Sequence, residues 1–414
     1  MATDSPTADL AAARSPNHLS PFQFVMAFGV VSMSADFVYE GARGIVGPYL
    51  ATFGASAVVV GVVTGAGEAV ALMFRLVTGP LSDRTRRYWP ITITGYVITV
   101  IAVPVLGAVA QFWQAAAAVI AERFGKAVRT PARDTMLGHA STDMGRGKAF
   151  AVHEALDQCG ALLGPLLVAG MVALSGYRLG FAVLVVPGVV AVALLAWLRR
   201  AVPAPAAYGP ESGPATAWPV AVVQGPWWRF SRRFWAYSAF TALTMVGFAT
   251  FGVLSYHLQV DSVLPEWEIP VLYAAAMGAD ALAALGSGWL YDRVGLRGLV
   301  VLPVLSAVVP FLSFTNRPVL VWIGALVWGA AFGMHESTMR AAVTDLVPAG
   351  RRGTGYGTFT AVYGLAWLAG SAIIGALYET SRTQLHVFVL ATQAAALVAF
   401  LPMALSRRVA SSSA

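Results

Sequence analysis

Charged side chains are scarce in this sequence of 414 residues, since Asp, Glu, Lys and Arg together make up only 11% of it. Soluble domains carry about 25% charged residues. Hydrophobic residues account for 57% of the chain. This composition excludes an ordinary water-soluble surface and indicates a polytopic membrane protein whose outer surface faces lipid.

Cysteine is almost absent, because Cys159 is the single cysteine and no internal disulfide can form. The sequence also lacks a G-x-x-x-x-G-K-S/T phosphate loop, which argues against ATP as the energy source. It has no serine-nucleophile motif and no Cys/His metal spacing. These absences make an intramembrane enzyme the weaker class, and we expect no cofactor and no bound structural metal.

Long apolar runs dominate what is present, and a membrane-spanning helix needs about 20 mostly apolar residues. The sequence predicts an all-α membrane protein with twelve spans. They lie near residues 22–50, 55–80, 90–110, 112–132, 149–174, 179–198, 235–256, 269–291, 298–315, 318–342, 355–378 and 385–405.

The positive residues predict the orientation, because Lys and Arg gather in cytoplasmic loops. With both termini placed inside, 22 of the 27 Lys and Arg residues fall in cytoplasmic segments. The net charge of +7 is thereby explained without a nucleic-acid partner. We expect a multi-pass protein of the bacterial cytoplasmic (inner) membrane.

The domain organisation follows from the same spans. We expect a disordered cytoplasmic tail at 1–20, a six-helix lobe at 21–199, a linker at 200–234, a second six-helix lobe at 235–406 and a short tail at 407–414. The linker is rich in Pro, Ala and Gly, as flexible connections between lobes often are.

An internal repeat relates the two halves. The pattern G-x-L-x-D-R occurs at residues 79–84 and again at 288–293, an offset of 209 residues. Residues 79–87 resemble the loop signature of the major facilitator superfamily, and the second copy occupies the matching place. The resemblance implies twelve helices in two pseudo-symmetric lobes and transport by alternating access.

The resemblance also implies a gate at the cytoplasmic rim, formed by the two copies of the motif. Residues 123–134 and 336–357 are similar to a bacterial subgroup whose substrates are mostly unassigned, and they supply further gate candidates. The expected gate residues are Gly79, Asp83, Arg84, Arg123, Arg129, Arg133, Gly288, Asp292, Arg293 and Arg340.

Charge inside the spans is unevenly distributed. The central stretches of spans three, six, nine and twelve contain no Asp, Glu, Lys, Arg or His, so we expect these helices at the periphery. Ionisable groups in lipid are costly and usually face a bundle interior or a watery path. The candidate substrate or proton residues are Asp36, Glu40, Arg43, Glu68, Arg75, His153, Glu154, Asp157, Asp280, His335 and Glu336.

Several of these residues lie on common helix faces. Asp36, Glu40 and Arg43 share one face of span one, so Arg43 can neutralise Glu40 and leave Asp36 unpaired. Glu68 and Arg75 share a face of span two. For both sets the alternative reading is a structural ion pair that keeps helices in register.

Span five carries His153, Glu154 and Asp157, which suit a proton relay, a metal site or gating contacts with Arg129 or Arg133. In span ten, Glu336 and Arg340 are spaced for an intrahelical pair, and His335 precedes them. Asp280 stands alone in span eight, either as a proton-binding acid or as a hydrogen-bonded packing group.

The function that we expect is secondary transport of a small-molecule substrate by a monomer in the lipid bilayer, with protons as coupling ion. Export of a small organic or amphipathic compound is the leading version, although residues 160–165 match the antiporter signature of exporters only in part. The alternatives are a divalent metal exporter and, from another class, a non-transporting sensor or assembly partner.

The duplicated motif generates a prediction about the gate. Asp83→Asn should leave the protein folded but shift it toward the inward-open state, because an acid that latches the cytoplasmic side is lost. Spectroscopic distances across that side measure the shift. Unchanged distances in the variant would show that Asp83 is not a gate residue.

Overall fold

The computed structural model describes residues 17–141, 146–208, 230–347 and 352–405, and in these ranges the chain is helical with no strand. The side chains of residues 146–150, 292, 338–342, 344, 345, 352, 353 and 402–405 lie outside the description. The α-helices are α1 Pro21–Thr52, α2 Ala57–Met73, α3 Arg75–Thr85, α4 Tyr88–Leu106, α5 Phe112–Ala140, α6 Arg146–Ala182, α7 Val185–Ala201, α8 Arg232–Val246, α9 Phe251–Val260, α10 Glu268–Val294, α11 Val301–Ser313, α12 Pro318–Leu346, α13 Arg352–Thr380 and α14 Arg382–Leu405.

Breaks in the helices at three places determine how the helices correspond to the predicted membrane spans. Helices α2 and α3 form one crossing with a turn at Phe74, and α8 and α9 form another that is broken at residues 247–250. Helix α6 contains two crossings, because Ser175 and Gly176 leave helical geometry and Gly176 adopts a φ of 72°. The second of these segments continues into α7, and the described helices are therefore consistent with the twelve predicted spans.

Ten helical segments of the described residues are long and apolar enough to span a membrane. One of them, Ala151–Ala201, is 51 residues long and contains the break at Gly176, so it holds two crossings. Helix α5 is not among the ten, and its sequence carries charged residues along much of its length. The predicted all-helical fold in two lobes is confirmed.

The two lobes consist of α1–α7 and α8–α14. Helices α4, α7, α11 and α14, which correspond to spans three, six, nine and twelve, make their main contacts within their own lobe. Contacts between the lobes come from α1 with α9, α2 with α13 and α6 with α10. At Gly61 a Cβ would overlap the carbonyl oxygen of Ser371, so glycine is needed where α2 meets α13. The uncharged helices are thus peripheral, as their sequences predict.

The start of the first helix is fixed by local hydrogen bonds. The Ser20 side chain accepts from the Gln23 N–H, and the Gln23 side chain accepts from the Ser20 N–H, which forms a capping box. Asn17 hydrogen-bonds to the backbone of Ala204 in both directions, and the Tyr208 hydroxyl donates to the carbonyl of Leu19 at 2.7 Å. The beginning of α1 therefore lies beside the end of α7. Residues 1–16 of the expected tail and residues 209–229 of the expected linker lie outside the described ranges.

The bundle has two faces. The termini face holds the start of α1 and the ends of α3, α5 and α7, and the far face holds the opposite helix ends. At the far face the lobes meet, since the Tyr177 hydroxyl donates to Gln259 and the Val58 N–H donates to Glu379 at 3.2 Å. These contacts join the first lobe to α9 and α13 of the second.

The topology can be tested by cysteine labelling, because Tyr208 lies at the termini face and Val263 follows α9 at the far face. Cys159 is exposed and has to be replaced first. A cysteine at 208 should react with an impermeant reagent only from the cytoplasm, and one at 263 only from outside. Labelling of both from the same side would contradict the twelve-span topology.

Candidate functional site

Helix α5 carries a stripe of charged side chains through the middle of the first lobe. Glu122, Lys126, Arg129 and Arg133 follow at spacings of three or four residues, so they share one helix face, with Arg123 beside them. Arg123 is 6% exposed and Arg129 only 1%. The sequence-based assignment of these cations to a cytoplasmic segment is wrong, because they lie inside the bundle.

Glu68 is the centre of the first charge network. Its Oε1 lies 2.7 Å from Nη2 of Arg43 and 3.4 Å from Nη2 of Arg123. Arg43 also lies 3.5 Å from Glu40, and Nε of Arg123 lies 3.2 Å from Glu122. One acid from α2 thus joins arginines from α1 and α5, each of which has a second carboxylate partner.

The second lobe touches this network directly. The Tyr273 hydroxyl of α10 donates to Oε2 of Glu40. The ring of Phe332 on α12 lies 5.1 Å from Cζ of Arg43, within the range of a cation–π contact. The charges of one lobe and the aromatic rings of the other therefore meet at Glu40 and Arg43.

A second network lies nearer the termini face. Asp36 lies 3.8 Å from Nη2 of Arg129, and Arg133 lies 3.8 Å from Asp157 and 2.9 Å from Asp134. The expectation that Asp36 is unpaired is wrong. Its partner comes from α5, and spacing along α1 cannot reveal a neighbour on another helix.

His153 lies between α1 and Asp157. Its Nδ1 is 3.8 Å from Asp157, and its Nε2 is 3.5 Å from the Ser32 hydroxyl. Glu154 is exposed and accepts a hydrogen bond of 3.4 Å from Gln158. The three candidates of span five therefore divide between a buried pair and an exposed acid.

Lys126 has a different environment from the arginines. Its Nζ donates to the Tyr39 hydroxyl at 2.7 Å and lies 3.9 Å from the centre of the Tyr39 ring. Among the described residues no carboxylate lies within 4.0 Å of it. Tyr39 also lies 5.6 Å from the guanidinium of Arg123 and 5.6 Å from that of Arg129, so three cations surround one ring.

Asp280 on α10 is the buried acid of the second lobe, with 3% of its surface exposed. Gln158 of the first lobe donates to its Oδ2 at 3.5 Å. Its Oδ1 has no hydrogen-bond partner, and no cation lies within 4.0 Å of it among the residues that the structure describes. The Asp280 carboxylate thus lies at the lobe interface, and the Gln158 amide is its hydrogen-bond partner among the described residues.

His335 of α12 is buried beside two aromatic rings. The centre of its ring lies 5.5 Å from that of Phe248 and 6.5 Å from that of Tyr363. Neither ring nitrogen has a hydrogen-bond partner within the described part of the chain. The neighbouring Glu336 is exposed, and Arg75 on α3 is half-buried. The side chain of Arg340, the expected partner of Glu336, lies outside the description.

A small cavity of about 30 Å³ lies between the first network and the helix break of the second lobe. At about 10–15 Å³ for one water molecule, this space holds two or three waters. It is lined by Tyr39, Ala42, Arg43, Val46, Thr64, Glu68, Val103, Leu106, Val119, Glu122, Arg123, Thr250, Phe251 and Gly252.

The expected gate motif is exposed. Asp83 and Arg84 lie on the surface and make no ion pair with any described residue. Gly79 has Pro131 of α5 as its nearest neighbour. In the second copy, Arg293 stacks on Trp289 at 3.7 Å, Gly288 has open space beside it, and the Asp292 side chain is outside the description. The latch stays a prediction.

Sequence reasoning missed Glu122, Lys126 and Tyr273 as site residues. The signal for the first two was available, since they continue the three- and four-residue spacing of the α5 cations. Nothing in the sequence pairs Tyr273 with Glu40. Among the described residues, no group of three or more His, Cys, Asp or Glu side chains is arranged to hold a metal ion.

Comparison with protein families identifies one family. The profile of the Major Facilitator Superfamily matches residues 27–407. An uncharacterised protein of Mycobacterium tuberculosis is 53% identical over 391 residues, covering 94% of this chain and 95% of the relative. An uncharacterised MFS-type transporter of Methanocaldococcus jannaschii is 25% identical over 392 residues, covering 91% and 94%.

Solved structures share the fold at low sequence identity. The crystal structure of the nucleoside transporter NupG matches with a TM-score of 0.70 and 13% identity, covering 93% of this chain and 100% of that one. A POT family transporter in complex with 5-aminolevulinic acid matches with a TM-score of 0.73 and 12% identity, covering 93% and 97%.

The Glu68 network generates a stability prediction. Glu68→Ala should lower the free energy of unfolding by about 3–5 kcal/mol, because it leaves two buried arginines without a shared carboxylate. Glu154→Ala, at an exposed acid, should change it by less than about 0.5 kcal/mol. Thermal unfolding in detergent compares them. Equal stability of the two variants would mean that the network contributes little.

Proposed function

The chain belongs to the Major Facilitator Superfamily and is a secondary transporter, and we propose that it couples the movement of a small organic solute to protons through Asp280. The proposal rests on one observation. Asp280 is a buried acid at the lobe interface, 3% exposed, and no described cation approaches it within ion-pair distance.

The energetic argument concerns the charged form. A carboxylate that leaves water without a cation pays a desolvation cost that a single amide hydrogen bond does not repay. A bound proton removes this cost. In the first lobe, by contrast, Glu40, Glu68 and Asp36 each have an arginine within 4 Å, so their charged forms are compensated.

The position of Asp280 supplies the link to transport. Its partner Gln158 belongs to the other lobe, and Gly278 of the same helix lies against Leu162. When the lobes move relative to each other, this contact must change, because the two side chains belong to different lobes. A proton that binds more tightly in one state than in the other shifts the balance between them, which couples its gradient to the solute.

This argument changes the order in which the acids are ranked as the proton-coupling residue. Spacing within α1 favours Asp36 as the coupling residue, but Arg129 lies beside it. Asp280 therefore becomes the first choice and Asp36 the second. The remaining candidates in α6, Glu154 and Asp157, follow, since the first is exposed and the second faces Arg133.

The solute class that fits best is a small organic compound, because the lobe interface combines charged side chains and aromatic rings. We also propose that the protein exports its solute and that both termini are cytoplasmic. It acts as a monomer in the bacterial cytoplasmic membrane. The divalent metal exporter stays a prediction. Family membership argues against the sensor or assembly partner, since both halves of a transporter fold are present.

The coupling role predicts a specific defect. In liposomes with an imposed pH gradient, Asp280→Asn should abolish uphill accumulation of a solute identified by a thermal-shift screen, while solute exchange persists. The amide keeps the size and the hydrogen bonds of the acid but cannot exchange a proton. Glu266→Gln is the control, at an exposed acid in the loop before α10 that belongs to neither charge network. Full accumulation in Asp280→Asn would place coupling elsewhere.

A further inference from the structure

Two ionisable side chains at the lobe interface lack a partner of opposite charge in the part of the chain that the structure describes. Three arginines of α5, namely Arg123, Arg129 and Arg133, each have a carboxylate within 4.0 Å. Lys126 on the same helix has none among the described residues. Asp280 on α10 is the matching acid, since no described cation lies within that distance of it. One lobe thus supplies a cation without an acid, and the other supplies an acid without a cation.

The two side chains lie at similar depth in the bundle. Helices α5 and α10 both begin at the far face, and Lys126 comes 14 residues after the start of α5 and Asp280 12 residues after the start of α10. At about 1.5 Å per residue, these positions lie roughly 21 and 18 Å along the helices. The charge of Glu336 on α12 acts on both side chains. The unpaired cation and the unpaired acid therefore belong to the same level of the lobe interface.

Lys126 is able to change its partner. Its ammonium group carries three N–H donors, and the acceptor that the described residues supply is the hydroxyl of Tyr39 at 2.7 Å. The side chain is half-buried, and a lysine places its charge at the end of a flexible stem of four carbons. The strongest charges acting on it come from both lobes: Asp36, Glu40, Arg123 and Glu336. A further carboxylate could therefore bind to donors that are not yet used.

Arg43 is a second cation whose charge reaches Asp280, but carboxylates of its own lobe hold it. Glu68 lies 2.7 Å from its guanidinium and Glu40 lies 3.5 Å from it. The strongest of the other charges acting on Asp280 come from acids: Glu40, Glu154 and Glu336. These acids oppose the charged form of Asp280. Lys126 is therefore the cation of the first lobe that is available to it.

The described state is closed at the far face. A Cβ on Gly47 of α1 would overlap the carbonyl oxygen of Gly252 on α9, so the lobes touch there through their backbones. Nearer the termini face the packing is looser, because a Cβ on Gly278 of α10 would lie 4.0 Å from Leu162 and because Glu336 is exposed. A movement that closes the termini side would bring side chains of the two lobes closer together at this level.

We propose that Lys126 is the cation that pairs with Asp280 when the lobes close on the termini side. The ion pair requires that Asp280 has lost its proton, because a neutral carboxyl group does not compensate the charge of a lysine. In the described state the two side chains are apart, and a proton on Asp280 avoids the cost of an uncompensated carboxylate. Loss of the proton thus favours closure of the termini side, and proton binding favours its opening. This inference rests on the proposed function, because it names the partner of Asp280 in the other state.

Spin labels on the two lobes measure the closure. With Cys159 replaced, Leu81→Cys on α3 and Val294→Cys at the end of α10 place labels at exposed positions on the termini side. Alkaline buffer should raise the ratio of short to long distances at least about fivefold over acidic buffer, as two coupled sites commonly do. Lys126→Gln in the same labelled chain should abolish this response, because deprotonated Asp280 then has no partner in the closed state.

Two further variants make the result specific. Arg200→Gln, at an exposed cation in the last turn of α7, is the matched control and should keep the full response. Tyr39→Phe keeps the ring and every charge but removes the hydroxyl that holds Lys126 in the described state. It should raise the ratio further in alkaline buffer and leave it unchanged in acidic buffer. This measurement tests the ion pair even if Lys126→Gln does not fold.

The outcomes separate this inference from the proposed function. A full response in Lys126→Gln, or no further rise in Tyr39→Phe, overturns the ion pair. If Asp280→Asn abolishes the response while Lys126→Gln keeps it, Asp280 still couples to protons and the pair alone is wrong. If Asp280→Asn keeps the response, the coupling residue is wrong and the pair fails with it. Absence of any response in the unaltered labelled chain also overturns the pair, and uphill accumulation then decides whether Asp280 carries the proton.

Discussion

A charge that lies inside a bundle facing lipid needs a partner of opposite sign, and Glu68 provides one for Arg43 and Arg123 together. This arrangement joins α1, α2 and α5, three of the four helices that line the cavity from the side of the first lobe. Without Glu68, the two arginines would have only Glu40 and Glu122, at 3.5 and 3.2 Å. The shape of the cavity and the balance of its charges both depend on this one carboxylate.

The lobes divide the chemistry between them. Around Glu40 and Arg43, the first lobe supplies the ion pairs and the second lobe supplies aromatic rings, among them Phe332, which stacks on Trp328 at 5.3 Å. Tyr273 and Phe332 reach across to Glu40 and Arg43, so movement of the lobes changes the surroundings of the network. Asp280 stands on the aromatic side with a partner from the charged side.

The fold could be predicted from the sequence because a membrane helix is encoded locally, by length and hydropathy. The repeat at residues 79 and 288 supplied the two halves. The site could not be predicted to the same degree. Arg123 and Arg129 fall within the predicted span at 112–132, but they were counted among the cytoplasmic cations because composition does not report depth along a helix. Asp36 looked unpaired because its partner lies on α5. The contact between Gln158 and Asp280 joins two residues that are 122 positions apart, and no local pattern reveals it.

The central claim is that the acid without a cation carries the proton. Infrared difference spectra between acidic and alkaline buffer report carboxyl groups that gain or lose a proton, without any need for the solute. The account predicts a protonated carboxyl band in the unaltered protein that disappears in Asp280→Asn and persists in Asp36→Asn. A band that persists in Asp280→Asn and disappears in Asp36→Asn would contradict it.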